Sequence, residues 1–255
     1  MTQDIVLIGV GEIGGILAKG FLRAGYTVHP VTRDTDMQQL AGQLPAPRLV
    51  VVSVGEKDLP GILGKIPDNW RTRLCLLQNE LLPEDWNGIP DPTVISIWFE
   101  KKPGTDAKVI MPSPAFGAGA GLLKDALEGI GIPVNELHDE AELLFQLVVK
   151  NLYILTTNIA GLRTGGTVGE LWSDHRDFAQ RVADEVIALQ QVLTGTNFDT
   201  KGLIKTLEQA FAGDPEHRCM GRSAPARLQR ALEHAQRLGL DLPTLRDIAE
   251  SSGAV

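Results

Sequence analysis

The chain has 255 residues, of which 43% are hydrophobic and 22% charged, a composition typical of one large or two modest globular domains. Its formal net charge of −8 disfavours a nucleic-acid partner, which would require a basic surface. Cys75 and Cys219 lie far apart without metal-ligand spacing, so we expect free thiols in a reducing compartment and no metal site.

The first predicted element is a strand that leads into a glycine-rich turn. Residues 5–9, IVLIG, form an apolar run typical of a strand buried on both faces of a parallel sheet. Gly9, Gly11 and Gly14 have G-x-G-x-x-G spacing and precede the amphipathic run 16–22. Such glycines allow a tight turn, close approach of a pyrophosphate and tight helix packing, and the helix N-terminus attracts phosphate. The stretch predicts a dinucleotide site, with a purely structural turn as the alternative.

Short apolar runs alternate with helical segments as far as residue 137. We expect further strands at residues 26–31, 48–54, 73–77, 93–99, 108–111 and 134–137. A helix is expected over residues 118–130, because Gly131 and Pro133 follow it. This order predicts an α/β fold, a Rossmann-type domain with a doubly wound parallel sheet over residues 1–137.

From residue 138 onward the hydrophobic period is 3.6, and no strand is expected. Helices are predicted at residues 139–160, 176–193, 200–212, 226–238 and 243–250. We therefore predict an all-α domain over residues 138–255, for substrate binding and dimerisation. Polar residues interrupt the apolar run 143–162, which makes it a poor membrane span. Without a secretory signal pattern, the cytoplasm is the expected compartment.

The residues after the second strand bear on the choice of dinucleotide. NAD sites usually place an acidic residue there, which holds the ribose 2′-hydroxyl. This chain has Thr32 and Arg33 at that point, and Asp34 one residue later. A guanidinium pairs well with a 2′-phosphate, so the pattern favours NADP. The alternatives are that Arg33 is a solvated loop residue or that Asp34 bends back.

Lys150 is a candidate general acid in the long helix. It stands in the apolar segment LLFQLVVKNLYILTTNIAGL, with Gln146, Thr157 and Asn158 near the same face. A lysine desolvated in a cleft has a lowered pKa and donates a proton near neutral pH. The alternative is a snorkelling lysine, whose stem packs while its ammonium group reaches water.

Two other polar groups have competing interpretations. Gln78 and Asn79 end a predicted strand at the carboxyl edge of the sheet, where amides orient a nicotinamide or a substrate, but asparagine is also a common turn residue. A segment near the C-terminus contains five arginines against one glutamate, which suits an anionic substrate or simply a charged helix surface. These arginines are Arg218, Arg222, Arg227, Arg230 and Arg237.

The order of these features resembles the ketopantoate reductase family, within the 6-phosphogluconate dehydrogenase-like superfamily. The resemblance rests on GVGEIG, Arg33, LLQNE, KNLYILTTNIAGL, TVGELW and a following helix that contains Glu185. It implies that Lys150 protonates the substrate carbonyl oxygen while NADPH delivers hydride. It also implies that Asn79 lies near the nicotinamide and that Asn158 is the second asparagine of the catalytic helix.

The chain departs from the family mainly in residues that contact the substrate. Glu80 replaces the glycine of the usual QNG, Gly55 stands where a lysine usually ends the third strand, and Ile154 replaces an asparagine. The family's Ser-Met pair aligns at best with 219–220, and Arg227 lies near the position of its glutamate. We therefore expect ketopantoate to be a poor substrate and the true substrate to carry more negative charge.

Together these features predict an NADP-dependent oxidoreductase that reduces a small carbonyl compound, a 2-oxo acid related to but different from ketopantoate. The alternative is a catalytically silent NADP-binding protein, such as a sensor or a structural subunit. The predicted catalytic residues are Lys150, Asn79 and Asn158. The predicted cofactor contacts are Gly9, Gly11, Glu12, Ile13, Gly14, Thr32, Arg33, Val54, Gln78 and Asn79. We expect a small anionic substrate and neither nucleic-acid nor membrane partners, and a homodimer remains open.

Overall fold

The computed structural model describes residues 3–252, which form two compact units. The first unit ends at Leu147 and the second begins at Val148, inside a long helix. The domain boundary that we predict between residues 137 and 138 stays a prediction.

The first unit contains the strands and the early helices. Its strands are β1 (Asp4–Ile8), β2 (Thr27–Val31), β3 (Leu49–Val52), β4 (Leu74–Leu76), β5 (Thr93–Ile95), β6 (Phe99–Glu100), β7 (Lys108–Val109), β8 (Ser113–Phe116) and β9 (Val134–Glu136). Its helices are α1 (Glu12–Arg23), α2 (Met37–Gln43), α3 (Leu59–Leu63) and α4 (Ala120–Glu128).

The remaining helices begin with α5 (Glu140–Thr164), which passes from the first unit into the second. The helices that follow it are α6 (Val168–Asp174), α7 (Arg176–Thr194), α8 (Thr200–Gly213), α9 (Ala224–Leu238) and α10 (Pro243–Ser252). Among the described residues of this unit, backbone strand pairing is limited to an isolated bridge between Thr167 and Arg218.

Seven strands form one sheet in the order β2-β1-β3-β4-β5-β8-β9. The pairs from β2 to β5 are parallel, as are β8 and β9, whereas β8 runs antiparallel to β5. Because the chain leaves β1 for β2 on one side and returns to β3 on the other, the strand order reverses beside β1. In open α/β sheets ligands bind in the crevice at such a switch point, beyond the carboxyl ends of the strands.

Alternate residues of the sheet face two different cores, as expected for strands covered on both sides. Ile5 and Leu7 belong to a cluster with the apolar residues of α1 and α4, including Phe21. Val6 and Ile8 belong to a second cluster with residues of α2, α3 and the first turns of α5. The doubly wound α/β architecture followed by a helical region is therefore confirmed.

Local capping explains several helix boundaries in the second unit. Thr167 and Glu170 form a reciprocal capping box at the start of α6, with the Thr167 N–H donating to Glu170 Oε2 at 2.8 Å. Glu185 of α7 accepts the backbone N–H groups of Thr244 and Leu245, at 2.7 and 3.0 Å, and so caps α10. The conspicuous glutamate of this helix thus has a structural role.

The structure corrects some predicted elements. The strand β8 was not predicted, and its antiparallel pairing with β5 makes the sheet mixed. The long helix does not end near Gly161 but continues to Thr164. A Cβ atom on Gly161 would lie only 2.9–3.1 Å from atoms of Cys219 and Met220, so close packing explains this glycine. Helices α2 and α6 were also missed, although Asp36 and Thr167 are recognisable N-caps.

Candidate functional site

The glycine-rich turn after β1 has the geometry of a dinucleotide cradle. Gly9 has φ +89°, in the region that favours glycine, and a Cβ atom there would lie 2.5 Å from the Ser53 carbonyl oxygen. A Cβ atom on Gly14 would lie 2.3 Å from the Gly9 carbonyl oxygen. Both positions therefore require glycine for backbone reasons, which explains the spacing of the motif.

Gly11 has a different role, because open space surrounds its missing side chain. It is the N-cap of α1 and has no side-chain oxygen to accept the first N–H groups of the helix. Residues Glu12 and Ile13 form the first turn, so their exposed helix end is suited to an anion. Lys101 Nζ lies 2.9 Å from Glu12 Oε2 and offsets a negative charge that would repel phosphate.

A cavity of ≈ 900 Å³ adjoins this turn. Thr32 and Arg33 line it at the end of β2, and Val54 lines it after β3. The backbone N–H of Thr32 donates to Thr35 Oγ1 at 3.0 Å, which fixes the start of this loop. Arg33 is exposed and lines this cavity.

Further charged residues line the same cavity. Lys57 and Lys65 add two cations to Arg33, while Asp58 contributes one carboxylate. The lysine that the family usually places at the end of the third strand is absent here, but Lys57 lies on the same cavity. A positive rim beside the loop that follows β2 is suited to a phosphate group.

The end of β4 shows how Gln78 is used within the first unit. Its side-chain Nε2 donates to the carbonyl oxygens of Val52 and Val54, at 2.6 and 3.2 Å, and its Oε1 accepts the Leu77 N–H. Gln78 therefore joins the carboxyl ends of β3 and β4, and its amide is engaged with backbone. Gln78 can therefore serve a bound cofactor only by holding this edge of the sheet in position. Asn79, the next residue, is half-buried.

Glu80 follows with φ +60°, a left-handed conformation that side chains disfavour. This conformation gives a physical reason for the glycine that the family has at this position. In this chain the turn after Asn79 therefore contains a strained residue.

Lys150 of α5 is half-buried in the second unit. Burial, and next the positive charge of Arg227, lower the pKa of Lys150 to about 7. Its Nζ atom lies 5.8 Å from the centre of the Tyr153 ring.

Asn158 lies eight residues after Lys150 on the same helix and is buried. Its Oδ1 accepts a hydrogen bond of 3.0 Å from Nη1 of Arg227, which lies on α9. Its Nδ2 lies 3.4 Å from Thr157 Oγ1, and that hydroxyl donates to the Tyr153 carbonyl oxygen. The structure therefore groups Lys150, Asn158 and Arg227 in one unit.

The arginine-rich segment separates into exposed and buried members. Arg227 is only 8% exposed, Arg230 is half-buried, and Arg218, Arg222 and Arg237 are exposed. The surface interpretation therefore suits the three exposed arginines, whereas Arg227 is directed inward.

Two further buried residues of α5, Asn151 and Ile154, lie between Lys150 and Asn158. Ile154 is buried and apolar, so this position has no polar group in place of the asparagine that the family has there. The neighbouring Asn151 is also buried, and its amide donates to Gln190 Oε1 at 3.1 Å.

Among residues 3–252, α5 is the one helix long and apolar enough to cross a membrane, but 72% of its most apolar window is buried in the protein.

Comparison by sequence finds no match, either with profiles of protein families or with curated proteins. Comparison of structures finds many similar chains. One is a dimeric ketopantoate reductase from Staphylococcus aureus, with a TM-score of 0.68 and 14% identity, covering 98% of each chain. Another is a probable 2-dehydropantoate 2-reductase from Bacillus subtilis, with a TM-score of 0.65 and 17% identity, covering 98% of this chain and 99% of that one.

A third similar structure is D-mandelate dehydrogenase in a ternary complex with NADH and anilino(oxo)acetate. Its TM-score is 0.67 at 14% identity, and the match covers 98% of this chain and 97% of that one. The resemblance to ketopantoate reductases is confirmed at the level of the fold, which extends over nearly the whole chain. At these identities the likeness concerns the fold alone.

Proposed function

We propose that the protein is an NADPH-dependent reductase of a small 2-oxo acid other than ketopantoate. The observation that carries the proposal is Lys150, a half-buried lysine beside a buried guanidinium, whose pKa is lowered to about 7. A lysine with these properties is suited to donate a proton at neutral pH. The fold shared with ketopantoate reductases and D-mandelate dehydrogenase supports the same reaction class.

The residues of the first unit fit a dinucleotide. Gly11 leaves open space where a pyrophosphate would approach, and the uncapped N-terminus of α1 would offer N–H donors to it. Arg33 and the lysines of the adjoining cavity would hold the 2′-phosphate that distinguishes NADP from NAD. Val54 and Asn79 would contact the remainder of the cofactor. When bound, NADPH supplies the hydride.

The second unit supplies the proton and the substrate contacts. Reduction adds a hydride to the keto carbon and a proton to the keto oxygen. In our proposal Lys150 donates that proton as an ammonium group, becomes a neutral amine, and then takes a proton from water. Asn158, fixed by Arg227, orients the substrate. The apolar Ile154 offers no partner to a substrate hydroxyl, which costs about 1–3 kcal/mol for each unpaired polar group.

We further propose a cytoplasmic location and a homodimer, in keeping with the dimeric Staphylococcus aureus neighbour. The acidic net charge of −8 supports a small-molecule substrate rather than a nucleic acid, and the burial of α5 supports the absence of a membrane partner. Size-exclusion chromatography with light scattering tests the homodimer directly.

The experiment that tests the reaction is a panel of 2-oxo acids, with NADPH oxidation followed by absorbance. The panel contains ketopantoate, pyruvate, phenylglyoxylate, oxaloacetate and 2-oxoglutarate. We expect turnover of at least one acid and a kcat/KM for ketopantoate that is lower than for the best substrate by about 10²–10⁴-fold, because two polar partners are missing.

Ketopantoate as the best substrate would refute the proposed specificity while leaving the reaction class intact. An inactive panel combined with tight NADPH binding, measured by titration, would favour a catalytically silent NADP-binding protein. A parallel assay with an oxidised cofactor and the corresponding 2-hydroxy acids controls for an unfavourable equilibrium in the direction of reduction.

A further inference from the structure

A second cavity of the first unit lies away from the glycine-rich turn. Its volume is ≈ 380 Å³, within the range of roughly 300–1,000 Å³ that is typical of small-ligand pockets. Asp91 and Pro92 line it just before β5 begins, and Gly117 lines it just after β8 ends. Because β5 runs parallel to β1 in the sheet, the start of β5 lies at the opposite edge from the turn that follows β1. The two cavities are therefore distinct.

Apolar side chains form most of the wall of this second cavity. Ile89 and Leu143 are buried and belong to the core cluster on one face of the sheet. Trp86 and Phe116 are half-buried, pack against the same cluster and line the cavity. A concave site with two aromatic rings and aliphatic side chains favours a ligand with an apolar body.

The charged side chains that line this cavity are both carboxylates. Asp91 and Glu140 are exposed, and their side chains make no hydrogen bond or ion pair with any other residue in the range 3–252. Among the same residues, no lysine, arginine or histidine lines the cavity. A cation that enters is attracted by both carboxylates, and the face of the Trp86 ring adds a cation–π interaction. Charge complementarity thus favours a cation over a neutral or anionic ligand.

The backbone around the cavity is held in place before any ligand binds. Asp91 has φ +40° and stands between Pro90 and Pro92, which restrict its backbone. Gly117 has φ +101°, and a Cβ atom there would lie only 2.9 Å from the Thr93 Cα atom. A ligand would therefore need to order little backbone on binding, which favours its affinity.

We propose that this cavity binds a small organic cation, in which an ammonium group is attached to an aromatic or branched aliphatic body. The apolar body contacts Trp86, Phe116 and the aliphatic wall, and the ammonium group pairs with Asp91 and Glu140. This ligand site is separate from the proposed reductase site and does not depend on it.

The test uses 2-phenylethylamine as the probe, with 2-phenylethanol as its neutral analogue and phenylacetate as its anionic analogue. Each is titrated into the full chain at neutral pH, and ¹H–¹⁵N NMR follows the Trp86 indole and the Gly117 amide. We expect the amine to bind about 3–30-fold more tightly than the alcohol, as for two exposed ion pairs, and to shift both signals. Phenylacetate should bind more weakly than the alcohol.

The double variant Asp91→Asn/Glu140→Gln removes both carboxylates at exposed positions, and asparagine also tolerates the left-handed conformation. It should lower the affinity for the amine to about that for the alcohol and leave the alcohol unaffected. The matched control is Glu84→Gln/Glu128→Gln, which removes the same charge at two exposed glutamates that do not line the cavity. It should bind the amine like the wild type.

Equal affinities of the wild type for amine and alcohol would overturn the proposal, as would an amine affinity that is unchanged in Asp91→Asn/Glu140→Gln. Signal shifts that avoid Trp86 and Gly117, or competition between the amine and NADPH, would place the amine elsewhere and also overturn it. Binding of the amine at the same affinity with and without NADPH would support a separate site. Because the readout requires no turnover, this result stands whether or not the protein reduces a 2-oxo acid.

Discussion

The two units hold their candidate functional groups by different means. In the first unit the turn between β1 and α1 depends on backbone geometry, since Gly9 and Gly14 leave no room for a Cβ atom. In the second unit the polar group consists of side chains from two helices, Lys150 and Asn158 on α5 and Arg227 on α9. A backbone site tolerates little change, whereas a side-chain site can change its chemistry while the helices keep their packing.

This difference explains why the turn between β1 and α1 keeps its glycine spacing, while helix faces of the second unit carry side chains that depart from the family pattern. Replacement of Gly14 would force the backbone apart, but Ile154 and Arg227 fit into buried helix faces without disturbing them. The contrast teaches that positions held by side-chain packing can change their chemistry within one fold more readily than positions fixed by backbone contacts.

The largest expected effect concerns the second unit and should leave the first unit unaffected. Lys150→Met removes the proposed proton donor and keeps the helix packed, so turnover should fall by about 10²–10⁴-fold. NADPH affinity, measured by fluorescence titration, should hardly change. Lys205→Met, at an exposed lysine of the same unit, is the control. A Lys150→Met enzyme with nearly normal turnover would mean that Lys150 is not a general acid.

The reciprocal change is made in the first unit. Arg33→Gln should weaken NADPH binding by about 10–100-fold, because a charge-assisted contact with the 2′-phosphate is lost, and should hardly change NADH binding. Titration with both cofactors measures this. Arg23→Gln removes an exposed arginine at the end of α1 and serves as the control. Equal losses for NADPH and NADH would exclude a role for Arg33 in cofactor choice.

A pair of alanine substitutions tests whether the turn is a backbone site. Gly14→Ala should destabilise the protein by about 1–3 kcal/mol, because the new Cβ atom collides with the Gly9 carbonyl oxygen. Gly11→Ala projects into open space but replaces glycine at the N-cap of α1, so it should destabilise the protein by at most about 1 kcal/mol. Urea unfolding of both variants measures the difference. Similar losses in the two variants would contradict the packing explanation.

The pH dependence of reduction reports on the side-chain site. Because Lys150 must be protonated to donate and its pKa is lowered to about 7, kcat/KM should fall as pH rises through this value. The decline should be roughly tenfold per pH unit above the pKa, and oxidation of the hydroxy acid should rise over the same range. In Lys150→Met, kcat/KM should not decline over this pH range. The same decline in that variant would assign the titration to another group.

The smallest expected effect concerns the strained turn after Asn79. Glu80 has φ +60°, so Glu80→Gly should relieve strain and stabilise the protein by up to about 1 kcal/mol, less than the full strain because glycine loses more entropy on folding. Glu84→Gly, at an exposed position in a 3₁₀ turn, is the control and should destabilise. Thermal unfolding measures the stability of both variants. A loss of stability in Glu80→Gly would mean that contacts of the Glu80 side chain outweigh the backbone strain.

The sequence alone was sufficient for features that depend on local chemistry. The alternation of strands and helices, the glycine motif and the position of Lys150 could be predicted because each is encoded in residue types at fixed, short spacing. The strand β8 could not, since it is short, contains Pro114 and is defined by its pairing with β5 and β9. Gly161 was misread because a glycine required by packing resembles one that ends a helix.

Only the tertiary structure distinguished Arg227 from the exposed arginines of its segment. Its partner Asn158 is 69 residues away in the chain, and the partner of Lys101, Glu12, is 89 residues away. Charge and spacing give five arginines that are nearly equivalent in sequence, because nothing local states which side of α9 will pack inward. Burial is decided when distant helices come together, and burial in turn determines whether a guanidinium is a solvated charge or a partner in a buried hydrogen bond.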